Sequence, residues 1–579
     1  MNVPAVAFEK FGFTYTDRER PALADIAMSV NEGESVLITG PAGAGKTTLC
    51  SALNGLVPHF FTGRIRGRVL VKGIDTKRSN IARLSHIVGM LFQDPSDQLV
   101  SPTVEDDVAF GPENYGVPRE EIQRRVTESL ALVRLAGYEK RVPYTLSGGE
   151  QQACALAGVI AMRPDILVLD EPTSNLDPLG SSQVLEIVSR MARRHGRTLL
   201  VVEHRLEEFV PLCDRLVVME DGRLALEGAV DDLFSEENAR AMEAKGVRLP
   251  QVTLLALRLR ERGLWPQGKR LPATVEEAAR GLAPHLRKGG SPGPGAGGCG
   301  GRGGKPVIEV QGLWHVYPNG TPALRGIDLA IAENEFVAIV GQNGSGKTTL
   351  VKHFNGLLRP TKGRVVVGGM DAGKESIARL SRKVGYCFQN PDHQMCCRTV
   401  REELLFGPGN LKMDESSALD RMAEIAAGMK LEQYLDRGPF QLSKGERQKL
   451  AVAAILMMGP DVIVIDEPTT GQDYRMGREM MDLAVRLHRE GKTVVVITHD
   501  MGIVAEYVDR VIVLRDGELL LDGTPREVFA KPDVISTTSL EPPQVARLVR
   551  ALADFGLRGD VLTVGEMVEE VSARWAGGA

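Results

Sequence analysis

Short, wholly apolar runs alternate along this chain with longer stretches of helical period. The runs SVLI (35–38), ILVL (166–169) and TLLVV (198–202) carry no charge and end just before glycine or acidic residues. Runs this short and apolar throughout predict strands buried on both faces of a parallel sheet. Between them, GSSQVLEIVSRMARRH (180–195) places apolar residues three and four apart, which predicts an amphipathic helix. Strands alternating with helices imply an α/β fold.

The pattern occurs twice. ITGPAGAGKTTL (38–49) recurs as IVGQNGSGKTTL (339–350), LFQDPSDQ (91–98) as CFQNPDHQ (387–394), and LSGGEQQ (146–152) as LSKGERQ (442–448). LVLDEPT (167–173) matches IVIDEPT (463–469), and VVEH (201–204) matches VITH (496–499). Equivalent motifs in one order at a nearly fixed offset mean a duplicated domain. The run RKGGSPGPGAGGCGGRGGK (287–305) is too glycine-rich to pack and is expected to be a flexible linker. The expected division is a first domain at 1–228, a helical appendix at 229–286, the linker, a second domain at 306–524 and a second appendix at 525–579. The appendices carry a weaker repeat, LPQVTLLALRLRERGL (249–264) and PPQVARLVRALADFGL (542–557), read as helices packed each on its own domain.

Composition narrows the function. Hydrophobic residues make up 43% and charged residues 25%, an ordinary globular balance. The net charge of −5, without a basic run, argues against duplex nucleic acid as the main partner. No apolar stretch approaches the ~18–20 residues that cross a bilayer, and MNVPAVAFEKFGF has no secretory-signal pattern. The seven cysteines form no Cys-x-x-Cys pair, and adjacent Cys396 and Cys397 are poorly spaced to share a tetrahedral zinc site. Reduced thiols and a cytoplasmic location are expected.

The repeated motifs carry phosphate chemistry. Gly40, Gly43 and Gly45 with Lys46 and Thr47 have P-loop spacing, as do Gly341, Gly344 and Gly346 with Lys347 and Thr348. Glycines let backbone N–H groups turn around a phosphate, and the following helix points its positive end at the same anion. Lys46 and Lys347 are candidates to reach the β- and γ-phosphates of ATP, and the hydroxyls of Thr47 and Thr348 to bind Mg²⁺. Thr48 and Thr349 extend the nucleotide set. Asp170 and Asp466, at strand ends, are candidate metal acids. Glu171 and Glu467 are placed to orient or deprotonate the attacking water.

With these motifs in hand, the chain resembles the ATP-binding cassette family over about 220 residues in each half, LSGGE (146–150) being its signature. The resemblance implies two RecA-like parallel-sheet cores, each with an antiparallel β subdomain and a helical signature subdomain. It also implies head-to-tail pairing, with ATP held between one P-loop and the other half's signature: Ser147, Gly148 and Gly149, or Ser443, Lys444 and Gly445. By the same resemblance Tyr15 and Tyr317 stack on adenine. Gln93 and Gln389 link Mg²⁺ and the attacking water to a transmembrane partner. His204 and His499 contact the γ-phosphate and support the glutamates, and Asp177 and Asp473 belong to loops that cross to the other domain.

A finer resemblance, in FQDPSDQLVSPTVEDDVAFGPENYG (92–116), is to the ATPases of cobalt and energy-coupling-factor importers. It implies a transmembrane coupling protein and a substrate-binding membrane subunit as partners, no nucleic acid, and a place at the cytoplasmic face of the membrane. Asp94, Asp97, Glu105, Asp106 and Asp107 are candidates to receive basic residues from that partner. Two departures stand out. Lys444 replaces the glycine found at 148, its side chain expected in solvent. Gly471-Gln472-Asp473 departs from Asn175-Leu176-Asp177. The expectation is an ATP-driven importer motor for a vitamin, vitamin precursor or transition-metal ion. The alternatives are a soluble twin-cassette ATPase acting on ribosomes or nucleic acid, disfavoured by the short glycine-rich linker, and a sugar-importer motor, disfavoured by the intact second P-loop.

Overall fold

Each half is built on two sheets. The computed structural model describes residues 3–174, 176–266, 268, 270–289, 304–469, 474–538 and 540–576. Most of the 287–305 linker, Asn175 and the 471–473 segment with Asp473 lie outside the described residues.

The larger sheet of the first half runs in the order Arg223–Ala229, Arg215–Glu220, Ser35–Thr39, Thr198–Val202, Ile166–Asp170, Val88–Leu91. All neighbours are parallel except at the Arg223–Ala229 edge. Ser35–Thr39, Ile166–Asp170 and Thr198–Val202 are buried at every position, as their unbroken apolar runs require. The second half repeats the order with Glu518–Gly523, Arg510–Arg515, Phe336–Val340, Thr493–Ile497, Val462–Asp466 and Val384–Cys387. A four-stranded antiparallel sheet flanks each core, ordered Leu23–Val30, Val6–Tyr15, Gly63–Val71, Ile74–Asp75 in the first half. A helical subdomain follows the glutamine segment: Val104–Asn114, Arg119–Leu132 and Gly148–Ala161, repeated as Val400–Asn410, Glu415–Met429 and Lys444–Leu456.

Register sets the site. Ile38 pairs with Val202, Asp170 with Val202, and Leu91 with Leu169, so the parallel strands end together. The P-loop, the acidic pair, the glutamine and the histidine all leave the sheet at this carboxyl edge, where open α/β sheets bind ligands.

The appendices correct one expectation. They pack on each other and not only each on its own domain, since Leu255 and Leu259 belong to the core of the first cassette and Ala546 and Leu562 to that of the second. Gln251 and Gln544 exchange equivalent bonds: Val252 N donates to Gln544 Oε1 at 3.2 Å and Val545 N to Gln251 Oε1 at 3.3 Å. Leu255 and Leu259 share one core with Val545, Leu548 and Val568. Arg262 pairs with Glu569 at 2.6 Å. Each tail helix is amphipathic and too short to bury its own stripe, so two related tails cover each other. Among the described residues no helix is long and apolar enough to cross a membrane.

Candidate active site

Both P-loops adopt the turn that glycine permits. A Cβ at Gly40 would lie 2.2 Å from Met219 O, and one at Gly341 2.2 Å from Leu514 O. Gly45 (φ 95°) and Gly346 (φ 98°) open the helices Lys46–Leu53 and Lys347–Phe354 from the left-handed region. Lys46 Nζ donates to Gly40 O at 2.8 Å and Pro41 O at 2.9 Å, and Lys347 Nζ to Gly341 O and Gln342 O at the same distances. Each ammonium group is thus folded back onto carbonyl oxygens of its own P-loop. Tyr15 and Tyr317 are fixed beside the loops by their hydroxyls, each 3.0 Å from Thr48 Oγ1 or Thr349 Oγ1.

Glu171 and Glu467 have φ of 48° and 50°. That conformation costs a non-glycine residue on the order of 1–3 kcal/mol, and both copies keep it at the same place. Glu171 accepts from Gln93 Nε2 at 2.6 Å and lies 3.1 Å from His204 Nε2. Glu467 lies 3.0 Å from His499 Nδ1, so the two imidazoles present different nitrogens. Burial pushes the Glu171 carboxyl up, but the His204 hydrogen bond and the charges of His204, Lys46 and Lys444 leave it below the ordinary range.

Asp170 and Asp466 differ more. Burial raises Asp170 to about 6, against a hydrogen bond from Thr47. Its Oδ1 is buried with no partner among the described residues. Asp466 is also raised by burial, but its Oδ2 accepts from Tyr386 Oη at 2.7 Å and from Thr348 Oγ1 at 3.1 Å. Met90 stands in the first half where Tyr386 stands in the second. The orphaned acid oxygen and the neighbouring threonine hydroxyl make an all-oxygen donor set, which suits Mg²⁺.

The halves lend residues to each other. Lys444 and Arg447, at the second signature, line a cavity of about 860 Å³ with Thr47, Gln93, Asp170, Gln389 and the aromatic pair Phe60 and Phe61. Lys444 is exposed, as expected, yet it faces the first P-loop and its charge acts on Glu171. A Cβ at Gly148 would meet nothing within 4 Å, so the longer residue in the second copy fits without rearrangement. Reciprocally, Asp177 Oδ2 accepts from Asn343 N of the second P-loop at 3.1 Å, and its charge acts on Lys347. Ser147 and Ser443 cap their helices in capping boxes, each hydroxyl donating to Glu150 or Glu446 at 2.9 and 2.7 Å. Gly149 and Gly445 follow in the first helical turn.

A family model described as ABC transporter matches residues 23–174 and 324–470. The chain belongs to the ABC transporter ATP-binding family. Each of its ABC cassettes has the mixed parallel and antiparallel sheets described above, and the chain is an ATPase. It is 40% identical to a Methanosarcina acetivorans protein provisionally named an ABC transporter ATP-binding protein, over 99% of this chain and 94% of that one. It is 34% identical to the Bacillus subtilis protein provisionally named HMP/thiamine import ATP-binding protein YkoD, over 91% of this chain and 92% of that one. Among solved structures it is similar to cbiO1 of Clostridium perfringens, described as part of the ABC transporter complex cbiONQ, with 35% identity over 42% of this chain and 99% of that chain and a TM-score of 0.38.

Within the cassettes the structure brings together Lys46, Thr47, Gln93, Asp170, Glu171 and His204, and likewise Lys347, Thr348, Gln389, Asp466, Glu467 and His499. It does not free all the acids near Gln93. Asp107 is buried and caps its own loop, accepting from Val100 N and Ser101 N at 2.8 Å each. Asp106 accepts from Thr103 at the helix start, and Glu105 is paired with Lys140. Asp94 and Asp97 do face the cavity. Sequence reasoning missed Tyr386, whose only signal is its position three residues ahead of Gln389. It also missed buried Glu203, which accepts from Thr173 N at 3.1 Å and His204 N at 2.9 Å and so fixes the segment carrying the histidine.

Proposed function

We propose that this chain is the motor of an importer of the energy-coupling-factor kind. It couples ATP binding and hydrolysis at two composite sites to uptake of a vitamin, vitamin precursor or transition-metal ion. Its partners would be a transmembrane coupling protein and a substrate-binding membrane subunit, met at the cytoplasmic face. The likeness to YkoD, whose name carries HMP and thiamine import, supports the direction.

In this reading Tyr15 and Tyr317 take the adenine face. Gly40, Gly43, Gly45, Lys46, Thr47 and Thr48 hold the phosphates in one cassette, and Gly341, Gly344, Gly346, Lys347, Thr348 and Thr349 in the other. Ser147, Gly148 and Gly149, with Ser443, Lys444 and Gly445, close the sites from across the joint. Thr47, Gln93 and Asp170, and Thr348, Gln389 and Asp466, would hold Mg²⁺, which neutralises phosphate charge when bound. Glu171 and Glu467 accept the proton of the attacking water, and His204 and His499 keep their carboxylates aimed. ATP bound across the joint holds the halves together, and hydrolysis releases them.

The observation that carries the membrane partner is a repeated apolar patch. Phe110 and Phe406 are 52% and 53% exposed at equivalent positions, and Tyr144 and Phe440 are each 63% exposed. Large side chains left in water at the same place in both copies, just beyond the glutamine segments, mark an interaction surface. The test is membrane retention of the chain in its native host. Replacing Phe110 and Phe406 with Ala should release the chain into the soluble fraction while purified protein keeps its fold. Equal retention by that variant would contradict the reading.

A further inference from the structure

The second cassette carries a cluster that its twin lacks. Cys396 Sγ and Cys397 Sγ lie 3.9 Å apart, and Cys396 Sγ lies 3.8 Å from Glu403 Oε1. Glu403 is 4% exposed. Its Oε2 accepts from Cys396 N at 2.9 Å and Cys397 N at 2.8 Å, which holds both thiols beside the carboxylate. The spacing read from sequence argued against a shared metal, yet the loop folded over Glu403 turns neighbouring side chains to one side.

The first cassette supplies an internal comparison. There Val100 and Ser101 occupy the cysteine positions, and Asp107 caps their N–H groups in the same way. The acid is thus explained by the loop, but the thiols are not. Cys50, Cys154 and Cys387 are buried singly and Cys213 is half-buried, so among the described residues only this cluster gathers three metal-ligating side chains.

We propose that Cys396, Cys397 and Glu403 form a binding site for one thiophilic divalent cation of the zinc and cadmium class. A tetrahedral ion with metal–sulfur bonds of about 2.3 Å sets two thiolates about 3.8 Å apart, and a carboxylate oxygen at about 2.1 Å falls about 3.6 Å from each sulfur. The Cys396–Cys397 and Cys396–Glu403 separations are already close to these, and all three ligand atoms lie within 4.8 Å of one another. Glu403 Oε1 supplies the oxygen ligand while Oε2 keeps the backbone, and water completes the shell. Burial and the adjacent carboxylate raise both thiols, Cys397 to about 12, so each gives its proton to solvent as its metal–sulfur bond forms. The two cysteines lie between Gln389 and the helix Val400–Asn410 that bears Glu403 and Phe406, so a bound ion would tie that segment to the helix and stiffen the link from the nucleotide site to the apolar patch. Metal binding itself does not depend on that patch docking a membrane partner.

The test is titration of the purified, reduced full chain with Cd²⁺, read by the ultraviolet thiolate-to-cadmium charge-transfer band. The wild type should show one saturable equivalent. Cys396→Ser and Cys397→Ser should each lose it, while Cys213→Ser and Cys299→Ser keep it. Thermal melts without metal should coincide for all five proteins, with Cd²⁺ raising the melt only where both clustered thiols are present. A band that survives in Cys396→Ser or Cys397→Ser, no saturable band in the wild type, or loss of the band in Cys213→Ser or Cys299→Ser would overturn the site.

Discussion

Arg248 Nη1 lies 2.7 Å from Asp500 Oδ2, joining the tail of the first half to the residue that directly follows His499 in the second. Burial opposes the Asp500 charge, but Arg248 wins and holds the carboxyl well below the usual carboxylate range. The repeat places Glu541 and Arg205 at the equivalent positions with charges reversed, yet they do not pair across the halves. Glu541 binds Arg547 at 2.7 Å and Arg205 binds Glu208 at 3.4 Å. Among the described residues this lock is closed beside His499 and not beside His204.

Arg248→Ala should therefore destabilise the chain by about 1–3 kcal/mol, because it takes the salt-bridge partner from a mostly buried carboxylate and leaves it Gly502 N, Ile503 N and the more weakly acting Arg205. Exchanging the charges, Arg248→Asp with Asp500→Arg, should recover part of that loss. Glu541→Ala should stay within about 0.5 kcal/mol, since its ion pair is exposed. Because the folded carboxyl is depressed, the Arg248 contribution is present above the unfolded value of about 4 and is lost as pH falls below it. Denaturant midpoints at neutral and acid pH check both statements.

Both glutamates have their partners, and both sites are expected to turn over. Glu171→Gln and Glu467→Gln should each lower ATP hydrolysis to roughly half or less. The double variant should lower it by about 10²-fold or more. Steady-state phosphate release from purified protein measures this, and a single variant with an unchanged rate would show that its site is silent.

Tyr386 separates the two metal acids. Its hydroxyl donates to Asp466 and draws charge from the carboxylate that Mg²⁺ would use, whereas Met90 leaves Asp170 Oδ1 orphaned. In a Glu171→Gln background, Tyr386→Phe should lower the Mg²⁺ concentration for half-maximal hydrolysis roughly 3- to 10-fold, the worth of a hydrogen bond to a charged group. An unchanged Mg²⁺ dependence would remove Tyr386 from the site.

Asp170 ties stability to acidity. Its folded value of about 6 exceeds the unfolded one, so the folded state holds the proton between about pH 4 and 6, and its stability falls as pH rises through that window. Asp170→Asn should stabilise the nucleotide-free protein at neutral pH by about 1–3 kcal/mol while abolishing Mg²⁺-dependent hydrolysis at that site. In the wild type, Mg²⁺ competes with the proton, so hydrolysis should fall as pH drops through about 6. Melting temperatures and a pH–rate profile test the pair of effects.

The sheet core and the ends of its strands were readable because the signal lies in consecutive residues. An apolar run followed by Gly-x-x-x-x-Gly-Lys-Thr, or by Asp-Glu-Pro, fixes a strand, its exit point and the group presented there. What escaped is set by docking. Tyr386 reaches Asp466 only through the register of adjacent strands, and Arg248 reaches Asp500 only because the tails pair across the halves. Asp107 reads as an available acid until the loop closes over it, and Lys444, exposed as expected, shows its action on Glu171 only once the second signature is placed against the first P-loop.

The central claim is that nucleotide is clamped across the joint between the halves. The most direct measurement is a structure of the Glu171→Gln, Glu467→Gln chain saturated with ATP and Mg²⁺. The account predicts that Ser443 Oγ leaves Glu446 to donate to the terminal phosphate held by Lys46, with Ser147 doing the same at Lys347. Halves standing apart, with both serines still bonded to their own glutamates, would contradict it.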